Sequence, residues 1–202
     1  MKIRVFTGAL LLATVAGAAQ AQTFAFTVEQ VNQGLSNHLG EPVRPSRSNP
    51  LMALGAPGTG EEGSFFSLGF GGSLTLGFGG EFGEFVTVWE TTYGNIAEYP
   101  ERVQILVGSG VDAQSASYFL AGEVLNLNDG LPVSLASANL LSGRSTYNFV
   151  RLIDISDPNA VPIGGDGFDV DAVAVGPVPA PGSLALLAAA GLVGARRRRN
   201  RV

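Results

Sequence analysis

Short apolar runs that alternate with polar positions, broken by Gly, Asn, Asp and Pro, recur from residue 64 to residue 175, and long helical periods are scarce. A period of two over a handful of residues is the mark of strands that bury one face. The pattern predicts strands over 64–68, 73–78, 85–90, 102–107, 118–125, 149–155 and 168–175. Phe85-Val86-Thr87-Val88-Trp89-Glu90 carries large residues on both faces and reads as a central strand. Residues 79–83 and 126–130 have turn chemistry. The sum is an all-β fold, a jelly roll or β-sandwich. Residues 28–39 read as a short helix ahead of it. The string LGFGGS from Leu68 recurs as LGFGGE from Leu76, which reads as two similar strand ends around one hairpin, too short a repeat for a solenoid.

The two ends break this pattern. Lys2 and Arg4 precede an apolar stretch through Leu10, Leu11, Leu12, Ala13, Val15 and Ala16, and then the small-x-small site Ala19-Gln20-Ala21. That order is a secretory signal, expected to be cut by signal peptidase after Ala21. At the other end Pro179, Pro181 and Gly182 lead into an apolar run from Ser183 to Ala195, followed by Arg196, Arg197, Arg198, Arg199 and Arg201. Thirteen residues fall short of the roughly 20 that cross a bilayer, so the span is marginal and relies on snorkelling arginines. The basic end is expected in the cytoplasm and the rest of the chain outside. Residues 178–202 resemble the PEP-CTERM sorting signal of exported bacterial proteins, with Pro179-Ala180-Pro181 where the namesake motif has Glu between prolines. The resemblance implies processing by an exosortase, with the transmembrane helix temporary in the way a GPI tail is. A permanent tail anchor is the alternative. Either way the expected address is the cell surface or extracellular matrix, with the membrane as a transient or lasting partner.

Between these ends, residues 22–48 form a lead segment and residues 49–177 a domain of ordinary length. No cysteine occurs, so stability is expected to rest on packing or on a bound ion. The whole-chain net charge of −5 hides a stronger imbalance: Arg44, Arg47, Arg102, Arg144 and Arg151 face all seventeen acids, which leaves the core at −12 with no lysine. Such a field disfavours nucleic acid and anionic lipid and suits divalent cations, neutral glycans or plain solubility.

A second resemblance rests on order. NPLMALGAPGTGEEGSFFSLGFGGSLTLGF from Asn49, EFVTVWE from Glu84, NFVRLIDISDP from Asn148 and GDGFDVDAVAV from Gly165 resemble, in sequence and spacing, the discoidin-like, galactose-binding-like jelly-roll domains of bacterial surface proteins. The resemblance covers about residues 49–175. It implies sugar binding in loops at one end of the sandwich and, in many members, a structural calcium. The closing acids Asp166, Asp169 and Asp171 offer hard oxygens of the kind calcium takes, roughly six to eight per ion. By the resemblance Asp169 and Asp171 are the candidate ligands. On a regular strand they share a face, so a solvated acidic face is the rival reading. Glu90, at the end of an apolar strand, is placed to reach the same ion or to cap a loop hydrogen bond.

Trp89 reads as core rather than as a sugar platform, and Tyr93, Tyr99 and Tyr118 lie nearer loops. Nucleophilic catalysis has little to work with: His38 is the only histidine and no Gly-x-Ser-x-Gly elbow occurs. Glu61/Glu62 and Glu81/Glu84 mimic glycosidase pairs only in wet, Gly-rich turns. The expected function is a non-enzymatic, structural or adhesive surface protein linked to extracellular polysaccharide. A calcium-supported carbohydrate-binding module is the first alternative and a matrix-glycan enzyme the second.

Overall fold

A computed structural model describes residues 22–36, 40–92, 95–162 and 164–178. In chain order its strands are β1 (Thr23–Phe24), β2 (Thr27–Asn32), β3 (Leu35–Ser36), β4 (Glu41–Pro42), β5 (Phe66–Ser67), β6 (Ser73–Phe82), β7 (Phe85–Glu90), β8 (Arg102–Ser109), β9 (Ser117–Leu125), β10 (Pro132–Ser134), β11 (Tyr147–Asp154) and β12 (Asp169–Val175). One helix, α1 (Ala136–Ser142), sits between β10 and β11. The first sheet runs β1-β12-β7-β10, with β5 also beside β12; the second runs β2-β6-β11-β8-β9; β3 and β4 make a small separate ladder. Among the described residues every pairing is antiparallel.

Alternation decides which side chains meet between the sheets. Leu74 and Leu76 of β6, Val103, Ile105 and Val107 of β8, and Val150 and Leu152 of β11 face Val86 and Val88 of β7 and Val170, Val173 and Val175 of β12, all in one buried cluster. Fully burying such a side chain contributes about 1.5–3 kcal/mol. All seven residues of β12 are buried, and the turn Pro50–Ala53 packs against this strand. The architecture is therefore a two-sheet β-sandwich, as the alternation predicts, and β7 lies inside its sheet.

Three expectations are corrected. Residues 28–36 are not helical: β2 pairs with β6, and its register slips between Val28 and Gln30 so that Glu29 is an extra residue. That bulge spaces Val28 and Val31 by three, which imitates a helical period. The expected turn at 79–83 belongs largely to β6, which continues to Phe82. Opposite β11 this stretch bulges between the Tyr147–Phe82 and Phe149–Gly77 pairs, and Gly79 takes φ +70°. The two LGFGG strings do not flank one hairpin. The first is the loop from β5 to β6 and the second lies inside β6, whose partners are β2 and β11. The sequence reading also passed over β10 and α1; the helix is too short for a periodic signal and stops at Gly143 with φ 67°.

Connections gather at the two ends of the sandwich. The stretches after β7, before β8, after β9, after β11 and before β12 share one end with the lead segment 33–65. No helix among the described residues is long and apolar enough to cross a membrane. The cleavage residues Ala19 and Ala21, the tail residues Pro179, Pro181, Gly182 and Arg196 to Arg199, and also His38 and Tyr93, lie outside the described residues.

Candidate functional site

At the loop-rich end, acids are buried rather than solvated. Asp154 closes β11 and is shared by three segments. It accepts from Ser156 Oγ at 2.7 Å, from the Phe168 amide at 3.0 Å and from the Gly71 amide at 3.0 Å. One carboxylate thereby ties the β5–β6 loop to the approach of β12. Burial pushes its pKa up, and these three donors pull it back. Gly167 has φ +75°, and a Cβ there would stand 3.0 Å from Asp154 Oδ1.

Beside it lies a second cluster. Arg47, at the end of the turn Pro45–Arg47, donates through Nη1 to both oxygens of Asp166, at 2.9 and 3.0 Å. The same nitrogen stands 3.8 Å from Asp169 Oδ2, and the guanidinium lies 5.2 Å from the centre of the Phe65 ring. Burial works against the charge on Arg47, but Asp166 and Asp169 outweigh it and hold its pKa above the ordinary value. The Glu90 and Glu101 carboxyls are near enough to bias each other's protonation, Glu101 pulling Glu90 down and Glu90 pushing Glu101 up. Thr92 Oγ1 donates to Glu90 at 2.9 and 2.7 Å. Asn126 Nδ2 holds the intervening loop by donating to the Tyr99 carbonyl at 2.5 Å and to Thr92 Oγ1 at 3.1 Å. Arg47, Thr92, Tyr99, Glu101, Asp166 and Asp169 border a polar cavity of about 80 Å³.

Four carboxyls against one guanidinium cannot all be charged without help. Burial raises Glu101 to about 11, with Asp169 and Glu90 adding to the shift. Burial also raises Glu90, to about 7, against the pull of Thr92 and Glu101. Asp169 is pushed well above the carboxylate range by burial and then by Asp166. Asp166 is raised by burial, with Arg47 opposing. Three buried oxygens here have no hydrogen-bond partner: Glu101 Oε2, Asp169 Oδ1 and Asn126 Oδ1. Asp169 is 3% exposed and Glu101 4%. Buried acceptors without a protein donor are rare in folded proteins and call for a proton, a water or an ion.

The sequence-derived trio is only partly assembled. Asp169 and Glu90 both belong to the cluster. Asp171 is drawn elsewhere: its two oxygens accept the Gly58 amide at 2.9 and 3.1 Å, and burial raises its pKa. The cause is a bulge. Val170 pairs with Glu90 and Ala172 with Trp89, which leaves Asp171 as the extra residue of β12. The simple alternation that would give Asp169 and Asp171 one face is lost at that point. Arg47, Glu101 and Asn126 were not singled out from sequence, since nothing local marks them. Among the described residues, no three acidic or histidine side chains already converge as an ion's ligands would.

The aromatic expectations hold only in part: Trp89 is outside the core cluster and Tyr118 lies within β9 rather than in a loop. Trp89 is half-buried, with its ring 5.7 Å from Phe24. Tyr118 lies under the Arg151 guanidinium at 3.8 Å on the outer face of the second sheet. Glu61, Glu62 and Glu81 are exposed.

No family model matches the chain, and no curated protein matches it. Among solved structures it is similar to an X-ray structure of GH31 CBM32-2 bound to GalNAc, at 11% identity and a TM-score of 0.44 over 76% of this chain and 96% of that one. It is also similar to truncated AlyQ with CBM32 and alginate lyase domains, at 12% identity and a TM-score of 0.39 over 80% of this chain; the match spans 35% of that longer chain. At such values neither likeness bears on what this chain binds.

Proposed function

We propose that the chain is an exported surface or matrix module that attaches to extracellular polysaccharide without turning it over, and that a calcium ion taken up at the loop-rich end braces it. The observation that carries the reading is the cluster of Glu90, Glu101, Asp166 and Asp169, with one buried oxygen each of Asp169, Glu101 and Asn126 that no protein donor meets. Hard oxygens from carboxyl and amide groups are the donors calcium prefers. Asp169, Glu101 and Glu90 do not converge as they stand; to hold the ion they would have to close on it, with the Asn126 amide beside them, and the ion would displace the proton that keeps Glu101 neutral. Bound there, it would supply charge neutralisation and cross-link β7, β12 and the loop between β7 and β8. Asp166 remains with Arg47.

Binding rather than catalysis is favoured by enclosure: Glu101 and Asp169 are almost wholly buried, whereas carboxyls that act on a glycosidic bond must reach it. Export follows from the charged-apolar-small start and from the tail that resembles an exosortase signal; intact mass of the protein from its host tests it. Loss of residues 1–21 and of the arginine tail is expected, and Arg199 retained in the mature form would leave a simple anchor.

The polysaccharide reading is tested by titrating the protein with its host's matrix polysaccharide in calcium and then in EDTA. Saturable binding weakened by EDTA is expected. Binding that ignores EDTA would remove the ion from the function, and no binding in either buffer would leave a structural surface protein.

A further inference from the structure

A second concave surface lies on the other flank, against the second sheet, and none of the carboxylate cluster reaches it. Its volume is about 410 Å³, within the roughly 300–1,000 Å³ of small-ligand sites. Phe26 stands on its rim with 73% of its surface exposed. The ring is not there by slack in the chain. Ala25 donates its amide to Val173 of the first sheet at 2.8 Å, and Phe26 donates to Gly77 of the second at 2.9 Å. The backbone is thus pinned to both sheets at successive residues, and the aromatic ring is held outward.

The floor is bare backbone. Gly77, Gly79 and Gly80 contribute no side chains, and a Cβ placed on Gly79 or Gly80 would meet nothing within 4 Å. Glycine in a strand marks places where another group approaches the backbone closely. Over Gly77 hang two polar groups: Thr27 Oγ1 and Glu29 Oε1 lie 2.6 and 2.8 Å from where its Cβ would be, joined by a 2.6 Å hydrogen bond. Asn148 and the half-buried Phe149 line the groove from β11. The bulges at Glu29 and between Gly77 and Phe82 shape these walls.

We propose that this groove binds a segment of a neutral, hydroxyl-rich polysaccharide, one pyranose face stacking on Phe26 and its hydroxyls meeting Glu29, Thr27 and Asn148; the assignment rests on the polysaccharide reading above. An exposed aromatic ring beside a carboxylate and an amide offers an apolar face and directional partners at once, which is what a sugar ring presents. Charge fixes the class of chain. The groove is lined by Glu29 and by no arginine or lysine, on a core of net charge −12, so uronate or sulfated glycans are repelled.

The test is native electrophoresis of the full-length chain through gels holding host matrix polysaccharide, neutral galactomannan or anionic alginate. Retardation by galactomannan and host polysaccharide is expected, with Phe26→Ala and Gly80→Val each binding about tenfold more weakly. Gly80→Val fills the groove from an open position and leaves Phe26 in place, so it decides the matter if Phe26→Ala misfolds. A wild-type chain that binds while both variants bind equally well would overturn the groove and leave the polysaccharide reading standing. A wild-type chain that binds no glycan would overturn both. Stronger retardation by alginate would overturn the neutral class. A dimer in sedimentation that Phe26→Ala dissolves, without any glycan effect, would give the groove to a second copy of the chain.

Discussion

The loop-rich end and the Phe26 groove invert the ordinary rule of burial in opposite directions. At the first, Glu101 and Asp169 are almost wholly buried while two of their oxygens lack partners. At the second, a large aromatic ring that could have been buried is held in solvent by two backbone bonds. Between them the sandwich obeys the rule, with Leu74, Ile105, Val150 and Val173 fully enclosed. Charged groups are seldom buried unless paired, and an exposed apolar group is informative only when it is part of a built surface. The contrast teaches that each departure has its own compensation: an ion or proton for the acids, a ligand for the ring.

The largest effect is expected from breaking the buried charge balance. Arg47→Met leaves Asp166 and Asp169 without their guanidinium and should cost about 3–5 kcal/mol, read by urea unfolding; a loss under 1 kcal/mol would show the cluster to be held by protons alone. Asp154→Ala should cost about 2–4 kcal/mol, since it strands the amides of Gly71 and Phe168.

Next comes pH. Glu90 is raised from 4.5 to about 7, and Glu101 is raised further. A carboxyl with a raised folded pKa binds its proton more tightly when folded. The stability this contributes is complete below 4.5 and is lost as pH climbs through about 7. In EDTA, then, Tm should fall between pH 5 and pH 8. Calcium should restore it at pH 8 and do little at pH 5, because the ion competes with the proton. A Tm that rises with pH in EDTA would contradict the assignment.

The smallest effect on stability is expected at the other end. Phe26→Ala should change unfolding free energy by less than about 0.5 kcal/mol, as an exposed ring does, while weakening glycan binding. A large destabilisation would make Phe26 a packing residue and erase the contrast between the two ends.

The sandwich was legible from two kinds of strand: Arg102 to Val107 alternates and puts every second residue into the core, while Phe85 to Glu90, large on both faces, lies inside its sheet. Bulges are where the reading failed. An extra residue at Glu29 made β2 look helical, and one at Asp171 sent that carboxylate to Gly58 instead of to Asp169. No residue type announces such an insertion. Glu90 was legible as a candidate because it ends an apolar strand, and Asp169 because the closing segment resembles that of discoidin-like domains. Arg47, Glu101 and Asn126 come from distant loops, and only the folded chain brings them to one place.

Calcium titration of the chain by calorimetry at pH 8, for wild type and Asp169→Asn, tests the central claim most directly. The account predicts one ion per wild-type chain, a Tm raised by calcium and lowered by EDTA, and uptake lost in Asp169→Asn. No heat of binding, with a Tm indifferent to both calcium and EDTA, would contradict it and leave the buried acids neutralised by protons.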